Sequence, residues 1–232
     1  MRLEDFVERL LALSSEEGEM RGARLPPERE LGERLQISRG ALREQLSILD
    51  GLGFLERTQG RGSYLHMPND EFVRTFFTVS RQVGYIDDDK YAEARMMIEE
   101  TVAAGAAERA SDEQIAALRE LVDTMIASTR AGDYDAALEA DVRFHSELTD
   151  IIDNPIFRFL EAGLSHVLHE TIQYRRQLAI EVEEPDADGI RKTDKVHYTI
   201  VDAIAAHDPD RARQAMREHF EDWRRLGFPD SH

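Results

Sequence analysis

The chain has 232 residues, with 29 Lys and Arg against 47 Asp and Glu, for a net charge of −18. Its 41% hydrophobic and 33% charged residues predict a folded globular protein, long enough for two domains. The absence of cysteine excludes disulfides, thiolate catalysis and cysteine-bound zinc, so any metal must be bound by His, Asp or Glu. The N-terminus is typical of an amphipathic helix, and no apolar run approaches the ~20 residues of a membrane span. We therefore expect a cytoplasmic protein with no membrane partner.

The acidic charge is concentrated in the C-terminal part of the chain. Residues 1–66 contain 10 Arg against 12 acids, and residues 20–66 contain 8 Arg against 6 acids, with no Lys in either range. Arg suits bidentate recognition of phosphate and guanine. The N-terminal part is therefore compatible with nucleic-acid binding despite the overall charge.

The N-terminal part has the pattern of three helices and a hairpin. A helix over Leu3–Leu13 is followed by "PERELGERL", which Pro27 opens, and by "RGALREQLSILDGL", which Ser38 caps. "FLERTQGRGSYLHM" alternates on both sides of a glycine turn, which indicates a β-hairpin. We predict a winged helix-turn-helix domain over residues 1–68.

The remaining residues, 69–232, show only helical periodicity. They contain seven helical stretches, one of which runs without interruption over 154–179. Three helix starts carry cap signals: Ser111 with Gln114, Asn154 with Pro155, and Asp208 with Pro209. The predicted fold class is mainly α, with a winged helix followed by a bundle of six to seven helices.

Four arginines occupy positions suited to DNA binding. Arg39 and Arg43 share one face at the start of the third helix, Arg29 lies near the start of the second, and Arg61 lies at the hairpin tip. Taken alone, Arg39 and Arg43 are equally compatible with solvated arginines on an ordinary small domain.

The segment from Leu25 to Leu65 resembles the DNA-binding region of the GntR family of bacterial transcriptional regulators. The matching positions are Leu25, Pro26, Glu28, Arg29, Glu30, Ser38, Arg39, Leu42, Arg43, Leu46, Gly53, Gly60, Arg61 and Gly62. The resemblance implies DNA contacts from six of them: Arg29, Arg39, Arg43, Gly60, Arg61 and Gly62. Pro27, Gly40 and Arg21 depart from the family pattern, so no contact is transferred to positions 27 and 40.

The C-terminal part contains a candidate metal-ligand set. Asp141 and His145 in "DVRFH" are spaced i,i+4 and so project from one helix face. His197 and His219 lie beside the apolar faces of the last two predicted helices. A lone helical His is usually a surface or satisfied core residue, but one carboxylate with three imidazoles can bind zinc, nickel or manganese.

This arrangement, with "KVHYTIVDAIAAHDPDRARQAMREH", resembles the FCD effector domain of FadR-type GntR regulators. The resemblance implies that the aspartate and the three histidines bind a divalent metal, with zinc as first choice, and that a small carboxylate effector binds beside it. Arg95 matches a position that often faces this pocket in the family, although a surface ion pair with Glu99 is an equal alternative. His166 and His169, spaced i,i+3, are further candidates for the pocket.

Together these features predict a transcriptional regulator rather than an enzyme. We expect a homodimer, more a repressor than an activator, that binds a two-fold operator in double-stranded DNA and responds to a small carboxylate. A metal-dependent hydrolase or oxidase is disfavoured, because the sequence has no HExxH and no His with Glu three residues before it. The remaining alternative is a winged helix used for protein contacts, against which the Arg positions and wing glycines argue.

Overall fold

The computed structural model describes residues 1–15, 24–58, 62–65 and 70–225 and is mainly α-helical, which confirms the predicted fold class. The elements are α1 (Leu3–Ser15), α2 (Glu28–Leu35), α3 (Arg39–Gly51), β1 (Leu55–Thr58), β2 (Gly62–Leu65), α4 (Glu71–Gln82), α5 (Asp88–Arg109), α6 (Asp112–Ala131), α7 (Tyr134–Ile152), α8 (Pro155–Val167), α9 (His169–Val182), α10 (Lys192–Ala205) and α11 (Pro209–Arg225). The chain divides into two compact units between Thr75 and Phe76, inside α4, whereas the sequence analysis set the boundary after residue 68.

The first unit contains the helix-turn-helix. Gln36 ends α2 in the left-handed conformation, and the Ser38 Oγ accepts a 3.2 Å hydrogen bond from the Ala41 backbone N–H at the start of α3. Pro27 precedes α2 without a side-chain cap. The core of the unit is formed by apolar side chains from α1 to β1, among them Phe6, Leu10, Leu31, Leu42, Leu46 and Leu55.

The wing is an antiparallel hairpin of β1 and β2, paired from Leu55 with Leu65 to Thr58 with Gly62. The Leu25 N–H donates to the Ser63 carbonyl at 2.7 Å, which adds the preceding segment to the hairpin edge. Gly62 has a φ of +114°, and a Cβ there would lie 2.8 Å from the Arg24 Nε. Glycine is therefore required at position 62 by backbone conformation and packing.

The second unit is built around α5, which packs against α7, α8, α10 and α11. Ala103, Ala106 and Ala107 are fully buried. A Cβ on Gly105 would lie 2.6 Å from the Ile152 Cδ1 of α7. The small residues of α5 thus permit close packing against the helices that carry the candidate metal ligands. Among the described helices, none has the length and apolar character needed to cross a membrane.

The predicted caps at Ser111, Asn154 and Asp208 are confirmed by side-chain bonds to backbone N–H groups. The predicted continuous helix over 154–179 is wrong. It is divided at Leu168 into α8 and α9, so residues 70–225 contain eight helices rather than six or seven. Neither Pro nor Gly lies at the break, where Val167 and Leu168 pack with other apolar side chains in one buried cluster. Tertiary packing therefore determines the break, and local sequence carries no signal for it.

Candidate metal centre and nucleic-acid interface

The three arginines expected to contact DNA lie on exposed surface of α2 and α3. Arg39 is the first residue of α3, directly after the Ser38 cap, and Arg43 follows one turn later. The Arg43 side chain is 71% exposed. The first turns of such a helix enter the major groove in other helix-turn-helix proteins, where Arg pairs with guanine O6 and N7.

Two of these arginines form ion pairs with carboxylates of α2. The Arg43 Nε donates to Glu28 at 2.8 Å, and the Arg29 Nη1 donates to Glu33 at 3.0 Å. The hydrogen bond with Glu28 raises the pKa of Arg43. Exposed pairs of this kind contribute little to stability because water and salt screen them, so a nucleic acid can replace the carboxylates at small cost. Of the predicted wing-tip contacts, Gly60 and Arg61 lie outside the described residues.

Three predicted metal ligands form a compact buried cluster. Candidate ligand atoms of His145 (α7), His197 (α10) and His219 (α11) all lie within 4.8 Å of one another, and each residue is at most 1% exposed. The ring centroids are separated by 5.8 Å for His145 and His197, 5.2 Å for His145 and His219, and 4.7 Å for His197 and His219. The structure thus brings together the three imidazoles that the sequence separates by up to 74 positions.

Asp141, the fourth predicted ligand, adjoins this cluster. Its Oδ1 lies 3.1 Å from the His197 Nε2 and accepts a 3.2 Å bond from the Arg176 Nη1. Its Oδ2 is buried and has no hydrogen-bond partner in the part of the chain that the structure describes. Burial alone would raise the pKa of Asp141, but Arg176 and His197 hold it well below its usual value. An ionised, buried carboxylate with one unused oxygen is suited to bind a cation.

Hydrogen bonding determines which His197 nitrogen faces the cluster. The His197 Nδ1 lies 3.1 Å from the backbone carbonyl oxygen of Asp194, which only accepts hydrogen bonds, so Nδ1 carries the proton. The Nε2 then faces the Asp141 Oδ1 at 3.1 Å, so its lone pair points toward the other candidate ligands. Metal-ligating histidines commonly donate their second ring N–H in this way.

His219 is held in the form that binds metals. Burial, with the neighbouring His197 and His145, lowers the pKa of His219 well below its usual value. The ring is therefore neutral near pH 7, and a neutral imidazole is the form that donates a lone pair to a metal.

The sequence analysis did not identify three residues of this site, which are Arg176, Asp194 and Glu99. Arg176 on α9 joins Asp141 to Asp194, with its Nη2 2.8 Å from Asp194. Glu99 on α5 accepts a 2.6 Å bond from the Arg95 Nε and also contacts the His145 Nδ1. The predicted i,i+4 pair of Arg95 and Glu99 therefore exists, but it lies in the protein interior beside the histidines rather than on the surface.

The two histidines proposed for the effector pocket lie elsewhere. His166 and His169 are both exposed. The buried side chains around the junction of α8 and α9 are those of Glu161, Leu164, Val167 and Leu168. His166 is two positions from Leu164, about 200° around the helix, and so faces away from the interior. The structure thus corrects the expectation that His166 and His169 line the pocket beside the three imidazoles.

The depressed pKa of His219 predicts a pH dependence for the metal-free protein. His219 in the unfolded chain takes up a proton near pH ~6.5, whereas His219 in the folded chain stays neutral to well below that pH. Because the unfolded state then binds more protons, the free energy of unfolding falls as the pH decreases through this range. The contribution of His219 is limited to about 1.4 kcal/mol per pH unit.

Urea unfolding in chelator between about pH 7.5 and pH 5.5 measures this dependence. We expect His219→Gln to lose less stability than the parent chain as the pH falls, because Gln does not titrate. Parallel pH curves for the two proteins would show that His219 has no depressed pKa.

Comparison with known proteins agrees with both parts of this geometry. Residues 8–65 match the family model described as bacterial regulatory proteins, gntR family, and residues 90–222 match the FCD domain. A protein from Escherichia coli named as an L-lactate dehydrogenase operon regulatory protein is 31% identical over 223 residues, covering 94% of this chain and 83% of that protein. The transcriptional repressor NanR of an Enterobacter species is 31% identical over 228 residues, covering 94% and 82%. A solved structure named Streptococcus agalactiae GntR has a TM-score of 0.69 and 28% identity, covering 97% of this chain and 99% of that one.

A winged helix followed by a helical domain with a buried polar centre defines a DNA-binding transcriptional regulator, and its relatives are regulators rather than enzymes. The chain belongs to the GntR family of bacterial regulators and carries an FCD domain. The predicted family and the predicted absence of enzymatic function are therefore confirmed.

Proposed function

We propose that this chain is a metal-dependent repressor that senses a small carboxylate. It acts in the cytoplasm as a homodimer on a two-fold operator, because one winged helix reads one half-site. The observation that carries the proposal is the buried cluster of three imidazoles beside the Asp141 Oδ2, which has no hydrogen-bond partner among the described residues. Repression is supported by the name of the NanR relatives.

The residues present fit a divalent metal ion. His145, His197, His219 and Asp141 would hold it, and three nitrogens with one carboxylate oxygen suit zinc first, then nickel or manganese. When bound, the ion supplies a fixed positive charge and a further coordination position that attracts an anion. Arg176 keeps Asp141 ionised and holds its Oδ1, so that Oδ2 remains available.

The charges around the candidate ligands favour an anionic effector. Arg95 pairs with Glu99, and Arg176 pairs with Asp141 and Asp194, so the carboxylates of the site already have cationic partners. A divalent ion adds positive charge to this region, which a carboxylate would offset. Burial raises the pKa of Glu161, which favours its uncharged form nearby. The E. coli relative is named for an L-lactate dehydrogenase operon, and L-lactate, the substrate of that enzyme, is a hydroxy acid with one carboxylate.

The C-terminal part of α4 belongs to the second unit and is paired with the start of α5. Arg81 on α4 forms a bidentate pair with Asp88 at the start of α5, at 2.7 and 2.8 Å. The Arg81 Nη1 also donates to the Val167 carbonyl at 3.4 Å, next to the start of α9. Helices α5 and α9 carry Glu99 and Arg176, so a shift of either helix on ligand binding is transmitted to α4 through Arg81.

A thermal-shift screen of small carboxylates, in zinc and in chelator, tests this proposal. We expect zinc to raise the Tm, and one or more hydroxy acids or sugar acids to raise it further only in the zinc-loaded protein. A ligand at 100 times its Kd stabilises by about 2.7 kcal/mol. A carboxylate that raises the Tm equally in chelator would show that the metal does not bind the effector.

A further inference from the structure

We propose that Glu99 is a positioning residue of the metal centre, which fixes His145 in the orientation and tautomer that bind the ion. The inference rests on the metal site proposed above. It concerns a residue outside the four candidate ligands, on a helix that contributes none of them.

The two oxygens of the Glu99 carboxylate face different side chains in the interior. Oε1 accepts the 2.6 Å bond from the Arg95 Nε, and Oε2 contacts the His145 Nδ1. The side chains of Glu99, Arg95 and His145 are all at most 4% exposed. The guanidinium of Arg95 is always charged, and its buried pair with Glu99 requires an ionised carboxylate as counter-ion.

An ionised carboxylate accepts hydrogen bonds and donates none, so its contact with His145 requires a proton on Nδ1. The Nε2 of His145 is then the nitrogen available to a metal. His197 has the same arrangement, with Nδ1 against the Asp194 carbonyl. Two imidazoles from different helices are therefore fixed through Nδ1, which is the arrangement that orients metal-bound histidines.

Arg95 has a supporting role in this arrangement. Its guanidinium compensates the buried charge of Glu99 and lies over the Phe220 ring, with the Cζ 5.6 Å from the ring centroid. Phe220 follows His219 directly in α11. The pair of Arg95 and Glu99 thus links α5 to both α7 and α11, the helices that contribute His145 and His219.

The neighbouring residue, Glu100, provides a matched control. It also forms a bidentate pair with an arginine, at 3.1 and 2.6 Å from Arg217, but that arginine is 45% exposed. Replacement of Glu100 therefore removes a carboxylate from the same helix and breaks its pair with an arginine, but it leaves the contact between Glu99 and His145 in place.

The test is a titration of the metal-free full-length chain with cobalt(II), followed by visible absorption, for the parent, Glu99→Gln, Glu99→Leu, Glu100→Gln and Glu100→Leu. Gln keeps an oxygen acceptor for the His145 Nδ1–H but loses the charge, whereas Leu loses both. We expect cobalt affinity to fall by about 10- to 100-fold in the Glu99 variants, more for Leu than for Gln, with an altered ligand-field spectrum. The Glu100 variants should retain the affinity and spectrum of the parent.

Unchanged cobalt affinity and spectrum in the folded Glu99 variants, or a loss of thermal stability alone, would overturn the proposal. The single variants could fail to fold because Arg95 is left buried without its carboxylate. In that case the double variant Arg95→Met with Glu99→Leu removes both charges, and its cobalt affinity and spectrum are judged by the same criteria. A parent chain that binds no cobalt would overturn the metal centre itself. A parent that binds cobalt, with Glu99 variants that bind it equally, would overturn only the role of Glu99.

Discussion

Replacement of His145 by alanine is expected to abolish stoichiometric metal binding and to remove the metal-dependent part of thermal stability. The imidazole is 1% exposed and lies between Glu99 and the other two histidines, so neither water nor a surface group replaces it. With the ion at 100 times its Kd, the lost stabilisation is about 2.7 kcal/mol. For a chain of this size that lowers the Tm of the metal-loaded protein by roughly 5–10 °C.

Two measurements check this expectation. Elemental analysis after gel filtration gives the metal-to-protein ratio, and the difference in Tm between zinc and chelator gives the stabilisation due to metal. His166→Ala is the matched control, because His166 is an exposed histidine of the same unit. An unaltered ratio in His145→Ala would dismiss this residue as a ligand.

Replacement of Arg43 by alanine should weaken operator binding by about 1–3 kcal/mol while the fold remains intact. The side chain is 71% exposed and contributes nothing to the core, so the loss arises from the missing contact with a base. A base-contacting Arg also determines sequence preference. We therefore expect Arg43→Ala to reduce discrimination between the operator and a variant with one guanine replaced.

Fluorescence anisotropy with a DNA site selected from a random library measures both quantities. Arg158→Ala is the control, because Arg158 is an exposed arginine that pairs with Asp150 and Asp153 in the second unit. Equal operator affinities for Arg43→Ala and the parent would remove Arg43 from the base contacts. A loss that is uniform over all DNA sequences would assign it to phosphate instead.

The features that the sequence predicted well are those with local physical signals. Ser38, Ser111 and Asn154 cap helices because their side chains lie next to orphan backbone N–H groups, which is a property of a few consecutive residues. The assignment of Asp141, His145, His197 and His219 as metal ligands came from the resemblance to the FCD domain. The residues themselves showed that His197 and His219 lie beside residues of helical apolar periodicity. That pattern indicates the buried side of a helix before any tertiary contact is known.

The features that the sequence missed depend on contacts between distant residues. Arg176 and Asp194 lie in a weakly patterned stretch, and a buried arginine is interpretable only when its partners, here Asp141 from another helix, are seen. The spacing of Arg95 and Glu99 predicted their pairing but not their burial, which depends on the close packing of α5. For His166 and His169, the i,i+3 spacing showed a shared face but not which face.

Metal-dependent sensing of a carboxylate is tested most directly by the affinity of the protein for its selected operator, with and without the carboxylate identified by the thermal-shift screen, in zinc and in chelator. Coupling between two such sites typically amounts to about 1–3 kcal/mol, or roughly 5- to 150-fold in affinity. We expect the carboxylate to change operator affinity within this range in zinc, and to have no effect in chelator or in His145→Ala. An equal change without metal, or no change with zinc and carboxylate bound, would contradict a metal-dependent carboxylate sensor.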